Sequence, residues 1–171
     1  MTPEFSRPER VDTIGEGERV VAIEARPEER AALARRFGLV AVERLEATYR
    51  VRREAAGILA RGQVTASVVQ ACSVTDEPLT VGVDEAVDLR FVESLGDAEE
   101  VELDETALDT IPIEGGAVDL GEAAAETMAL ALDPFPRGPN AAAALRAAGV
   151  VSEDEVEMGP FAGLKARLEG R

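Results

Sequence analysis

Chemistry has few places to come from in this chain. Cys72 is the only Cys, Lys165 the only Lys, and no His occurs among the 171 residues. Without imidazole there is no Ser-His or Cys-His nucleophile pair, and the commonest nitrogen ligand for metals is missing. One thiol cannot close an internal disulfide or build a multi-thiolate zinc site. Cys72 stands in Gln70-Ala71-Cys72-Ser73-Val74-Thr75, and with no His to serve as its base it reads as a packed Cys rather than an activated one. Only Asp and Glu are in good supply, 34 against 18 Lys and Arg. Paired carboxylates can do acid–base work or hold a divalent ion. The acid-rich stretch 97–109 lacks the Asp-x-Asp-x-Asp-Gly spacing of a calcium loop. It reads as solvated surface, with a carboxylate/divalent-metal enzyme as an alternative function.

Two further groups are suited to binding. Arg50, Arg52 and Arg53 cluster at a strand end, with Arg35, Arg36 and Arg44 nearby in sequence. Arg forks match phosphate oxygens, so the first three are candidate RNA contacts, although no aromatic accompanies them for base stacking. Their structural alternative is pairing with acids of the same chain. Pro134-Phe135-Pro136-Arg137-Gly138-Pro139 reads as an extended, polyproline-like segment. An aromatic between two prolines loses little entropy on ordering, which suits a docking element. As a stiff connector, the same segment would pack Phe135 on the sheet. Asp119, Glu122, Pro134, Phe135, Pro136 and Arg137 form the candidate partner-docking set.

The charge is divided along the chain. Residues 1–62 hold 12 Lys/Arg and 11 Asp/Glu, a net of +1, whereas 63–171 hold 6 and 23, a net of −17. Between Asp76 and Pro136 there are 18 acids and a single base, Arg90. Such a surface repels a phosphate backbone over about 8 Å at physiological salt and speeds encounter with basic proteins. No apolar run approaches the ~20 residues of a membrane span. Met1 to Arg10 is rich in Pro, Glu and Arg and lacks an apolar signal core. One unpaired Cys and no export signal give the expectation of a cytoplasmic protein.

These residues need elements to position them. Val20 to Ala25 reads as a short strand. Pro27 with Glu28 and Glu29 opens a helix that Gly38 closes, since Pro suits the first helical position, acids the positive end, and Gly the left-handed cap. Leu45, Ala47, Tyr49 and Val51 alternate with polar residues, as do Val64, Ala66 and Val68; Leu79, Val81 and Val83 begin another strand, and Val87, Leu89 and Phe91 alternate again. That period of two predicts an antiparallel meander of four or five strands. Residues 93–109 carry eight acids and no base, which predicts a mobile loop over about 93–112. Asp119 and Glu122 have capping-box spacing before a helix to about 132, which must stop ahead of Pro134. Asn140 can cap a short Ala-rich helix ending at Gly149. The predicted fold is α+β: an antiparallel sheet, with a partly closed barrel as a variant, carrying an N-terminal helix and a helix from the C-terminal half. It forms a single domain over 1–171 with an ordered core of about 19–149 and a tail from 150 to 171.

Several of these segments, taken in order, resemble one family. Ala60 to Val92, with Gly62-Gln63-Val64-Thr65-Ala66, Cys72-Ser73-Val74-Thr75 and Glu77-Pro78, is similar to the central strands of YceD proteins. So are Gly116-Ala117-Val118-Asp119-Leu120-Gly121-Glu122, then Leu130-Ala131-Leu132-Asp133-Pro134-Phe135-Pro136-Arg137, and the ending Gly159-Pro160-Phe161-Ala162-Gly163-Leu164-Lys165. Many members carry Cys-x-x-Cys at the strand turn, where this chain has Cys72-x-x-Thr75. The resemblance implies a non-enzymatic ribosome biogenesis factor supporting accumulation or processing of large-subunit (23S) ribosomal RNA, with no catalytic residues to carry over. Combined with the acidity, it gives the expectation of a basic ribosomal or assembly protein as partner. Direct contact with precursor RNA through the Arg face is the alternative. No cofactor, metal, membrane or small-molecule substrate is expected.

Overall fold

The computed structural model describes residues 3–93, 109–113 and 115–150. In chain order the elements are β1 (Pro8–Arg10), β2 (Arg19–Glu24), α1 (Pro27–Phe37), β3 (Ala41–Glu54), β4 (Gly57–Ala71), β5 (Pro78–Glu93), β6 (Asp109–Ile113), β7 (Ala117–Asp119), α2 (Leu120–Leu130) and α3 (Ala141–Ala147), with one 3₁₀ turn at Val11–Thr13. The architecture is α+β.

Three strands of 14, 15 and 16 residues, β3, β4 and β5, form the body of a five-stranded sheet of order β2-β3-β4-β5-β6. The alternation runs along most of their length, burying one face and wetting the other; it breaks at the register shift between Val42 and Arg44 and at Leu59, which is buried along with Ile58 and Ala60. Ile58 to Val68 is one continuous strand, because Gly57 lets the chain reverse directly out of β3: its φ is +132° and a Cβ there would overlap the Phe91 carbonyl oxygen. β2 through β5 are antiparallel, whereas β6 joins the far edge parallel to β5, pairing Leu89 with Asp109 through Glu93 with Ile113. The meander is therefore four strands with a parallel fifth. β2 and β6 are separate edges, so the sheet is open and the barrel variant is not adopted.

The structure departs from the expected boundaries at both ends of the acidic stretch. β5 runs to Glu93, and 109–113 is strand rather than loop; 94–108 lie outside the described residues, as do 151–171 of the expected tail. Order also begins well before residue 19. Phe5 is fully buried, Ile14 nearly so, and β1 pairs with β7 in a small ribbon beside the main sheet.

The buried face carries Leu45, Ala47, Tyr49, Val51, Ile58, Ala60, Val64, Ala66, Val68, Leu89 and Phe91. α1 covers β3 and α2 crosses β3 to β5. Each large side chain withdrawn there from water contributes roughly 1.5–3 kcal/mol. α1 begins and ends where its local signals place it: Pro27 opens the first turn and Gly38 takes φ +64°, with Leu39 N–H donating to Ala34 O at 2.9 Å. α2 is capped by Asp119, whose Oδ1 accepts from Gly121 N–H at 3.0 Å and Glu122 N–H at 3.1 Å. The capping box is half made, because both Glu122 oxygens take hydrogen bonds from Arg36 instead. Leu120, Ala124 and Met128 face the core as the helical spacing predicts, whereas Ala131 is the exposed C-cap. Among the described residues no helix is long and apolar enough to cross a membrane.

Candidate docking site

Beyond α2, residues 133–140 form a strap held against the turn between β4 and β5. That turn is closed by Cys72 N–H to Glu77 O (2.8 Å) and Asp76 N–H to Cys72 O (2.9 Å), with Asp76 at φ +57°. The strap is tied to it at four points. Gln70 Nε2 donates to Asp133 O at 2.9 Å and Ser73 N–H to Pro136 O at 2.8 Å. Gly138 N–H donates to Cys72 Sγ at 3.3 Å, and Asn140 Nδ2 to Glu77 Oε1 at 2.9 Å. The amide of Asn140 thus reaches the turn rather than capping α3.

Cys72 is buried and serves as an acceptor. Its pKa is lowered to about 7, first by the Gly138 N–H, then by the Thr75 side chain and the Val74 N–H, against the upward push of burial. The strap gives and takes equally: the Asp133 and Pro136 carbonyls accept, whereas Gly138 N–H and the Asn140 amide donate, and the prolines withhold only N–H groups that the ties do not use.

Between the strap, the C-terminal ends of α1 and α2, and the end of β4 lies a cleft of about 290 Å³, lined by Phe37, Leu39, Gln70, Ala129, Leu132 and Pro134 among others. Gln70 is 8% exposed, and its orientation is settled because Asp133 O can only accept; Gln70 Oε1, at the cleft wall, has no partner among the described residues. Next to these lining residues stand three large apolar side chains left in water: Val40 at 58% exposure, Leu130 at 87% and Phe135 at 72%. Each is the sequence neighbour of a residue lining the cleft, whose wall mixes apolar side chains with Gln70 and Asp133; single exposures of this kind are ordinary on a folded surface.

The structure separates the expected docking set. Pro134, Phe135, Pro136 and Arg137 belong to the strap, with Phe135 facing solvent rather than packed on the sheet. Asp119 and Glu122 are at the other end of α2, about 16 Å away at 1.5 Å per residue. Both are engaged within the chain. Asp119 Oδ2 accepts from Ser6 Oγ at 2.5 Å and Oδ1 from Arg7 N–H at 2.8 Å, while Glu122 holds Arg36, which also reaches Glu4. Sequence reasoning missed Val40, Gln70 and Leu130. For Leu130 a signal was present, since it sits two positions past Met128 and so falls off the buried stripe of α2.

The expected Arg cluster is also divided. Arg52 pairs with Glu54 at 2.5 Å, and Arg53 donates to the Ile14 carbonyl at 3.0 Å and to the Val11 carbonyl, anchoring the N-terminal segment. Arg50 alone points outward without an ion pair among the described residues. Among those residues no three of Cys, Asp and Glu gather as a metal-ligating group.

Compared with curated proteins and with solved structures, the chain has no match. A family model does match: "Large ribosomal RNA subunit accumulation protein YceD", over residues 60–166. The matched span takes in most of β4, the turn that carries Cys72, α2 and the whole strap, but not the α1 wall of the cleft. The description implies a role in accumulation of large-subunit ribosomal RNA and names no enzymatic reaction. With the match covering well over half of its length, this chain belongs to the YceD family.

Proposed function

We propose that the protein is a non-enzymatic factor of large-subunit biogenesis, acting in the cytoplasm by holding a basic ribosomal or assembly protein against the strap cleft. One observation carries this reading: Val40, Leu130 and Phe135 are exposed at positions adjoining residues that line a cleft whose outer wall is tied down at four points. A wall ordered before binding lowers the entropy lost on association, so a modest apolar anchor suffices for affinity. The net charge of −16 supports a cationic partner, drawing it in at long range while the cleft supplies the short-range contact.

The test is capture of proteins stripped from purified large subunits by the immobilised full chain at about 100 mM salt. A small set of basic proteins should be retained, and a Leu130→Ser/Phe135→Ser variant should lose at least ten-fold of that retention. Equal capture by the variant, or retention of bare RNA alone, would overturn the reading. Crosslinking from residues 134–139 in cells then identifies the partner.

A further inference from the structure

The strand register builds a second site that the sequence does not display. Arg50 in β3 lies directly opposite Arg61 in β4, and Thr48 directly opposite Gln63. Opposite residues of an antiparallel pair share a face, with Cβ atoms about 5 Å apart. These four side chains and Gly62 line a depression of about 330 Å³ on the outer face of the sheet, away from the helices. Across the full row the order is Val20, Arg50, Arg61, Asp88, so two cations meet one carboxylate.

The bonding leaves donors over. Arg61 Nε donates to Asp88 Oδ2 at 2.8 Å, while its two terminal nitrogens have no partner among the described residues. The Arg50 guanidinium and the Thr48 hydroxyl likewise have none among them. Gln63 is already committed to Asp84, at 2.5 Å. Like charges placed directly across a strand pair destabilise a sheet, yet here they stand side by side with no bridging acid. An oxyanion between the two forks would remove that repulsion and accept both sets of donors.

We propose that Arg50, Arg61 and Thr48 form a binding site for one phosphate group. The ligand sits on an open, polar sheet face with no aromatic platform, so recognition is of phosphate oxygens and not of bases. A nucleic-acid backbone crossing the strands matches that openness. The three residues come from 1–62, the half whose charges balance, while Asp84 and Asp88 of β5 border them on one side. It is independent of the strap cleft and goes beyond the docking function.

The experiment has two arms on the full chain. Inorganic phosphate, titrated to tens of millimolar and followed by backbone amide resonances, should move Thr48, Arg50, Arg61 and Gly62 together. A single-stranded 12-nucleotide RNA, followed by fluorescence anisotropy, should bind with an affinity that Arg50→Ala/Arg61→Ala lowers about ten-fold. The slope of log affinity against log salt should fall by about 0.7 for each phosphate that the variant no longer engages. Arg52→Ala is the control and should leave both arms unchanged, because Arg52 is engaged by Glu54. Phosphate shifts without RNA binding would keep the site and assign it to small phosphate ligands. Shifts confined to other residues, or RNA affinity unaltered in the double variant, would overturn the proposal.

Discussion

Arg7 grips Glu29 with two prongs across 22 residues of sequence, Nη1 donating to Oε1 at 2.8 Å and Nη2 to Oε2 at 2.9 Å. The same buried carboxylate accepts from Arg26 Nη2 at 2.8 Å and Arg26 N–H at 2.7 Å. The Arg7 hydrogen bonds, then those of Arg26, hold its pKa at about 2, against an ordinary 4.5. Because the folded value is the lower one, the stability it contributes is complete above about pH 4.5 and disappears as pH falls toward 2. Glu29→Gln should cost on the order of 2 kcal/mol at pH 7 and flatten the acid limb of stability between those values. Urea melts of both proteins at pH 7, 4 and 3 check this; parallel acid limbs would show that Glu29 is not the group responsible.

Asp119 is shared between α2 and the N-terminal segment, capping the former and accepting from Ser6 and Arg7 of the latter. Loss of a helix cap alone costs about 1 kcal/mol. Asp119→Ala should exceed that, by about 2–3 kcal/mol in total with the stranded Arg7 N–H counted. Limited proteolysis should now cut within residues 3–14. Cleavage resistance equal to the parent's would show that β1 is held independently.

Tyr49 is fully buried and its hydroxyl has no hydrogen-bond partner among the described residues. Burial alone raises its pKa, so the phenol stays protonated. Removing an unsatisfied buried group recovers its desolvation penalty, and Tyr49→Phe should raise stability by about 1 kcal/mol. A thermal melt showing a lower Tm would mean that the hydroxyl does have a partner in solution.

Gly62 and Gly82 give opposite forecasts for the same substitution. A Cβ at Gly62 would overlap Thr48 O and stand 3.0 Å from Tyr49 Cα, forcing β3 and β4 apart, whereas at Gly82 it meets nothing within 4 Å. Gly62→Ala should cost about 3 kcal/mol or more; Gly82→Ala should gain a few tenths, to about 1 kcal/mol. Chemical denaturation of the two variants side by side decides it, and similar outcomes would place the close approach elsewhere.

Local signals carried much of the fold. Pro27 and Gly38 bracket α1, Asp119 starts α2, and the alternation through Tyr49 and Val64 gives the long strands, because each depends on neighbours within a few residues. The elements not legible were made by distant partners. β1 and β7 are three residues each, too short to show a period, and exist because they pair with one another. β6 contains Pro112 and follows an acid-rich stretch, and only the parallel edge of β5 makes it a strand. The same holds for the sites. Phe135 between prolines could be named from sequence, but not that Val40 and Leu130 would also be left exposed. Arg50 was visible, while its pairing with Arg61 follows only once the two-residue turn at Ala55-Ala56 sets Glu54 opposite Gly57.

The stitching of Arg7 to Asp119 spans 112 residues, and it sets an order of events at the ribosome. At 5–20 residues per second, the acceptor is synthesised roughly 6–22 s after the donor. Phe5 thus waits for its pocket while β3 to β5 assemble from sequential hairpins. Closure of the N-terminal segment is a late step reporting that translation has passed α2, and a nascent chain halted before that point would display Phe5 to chaperones.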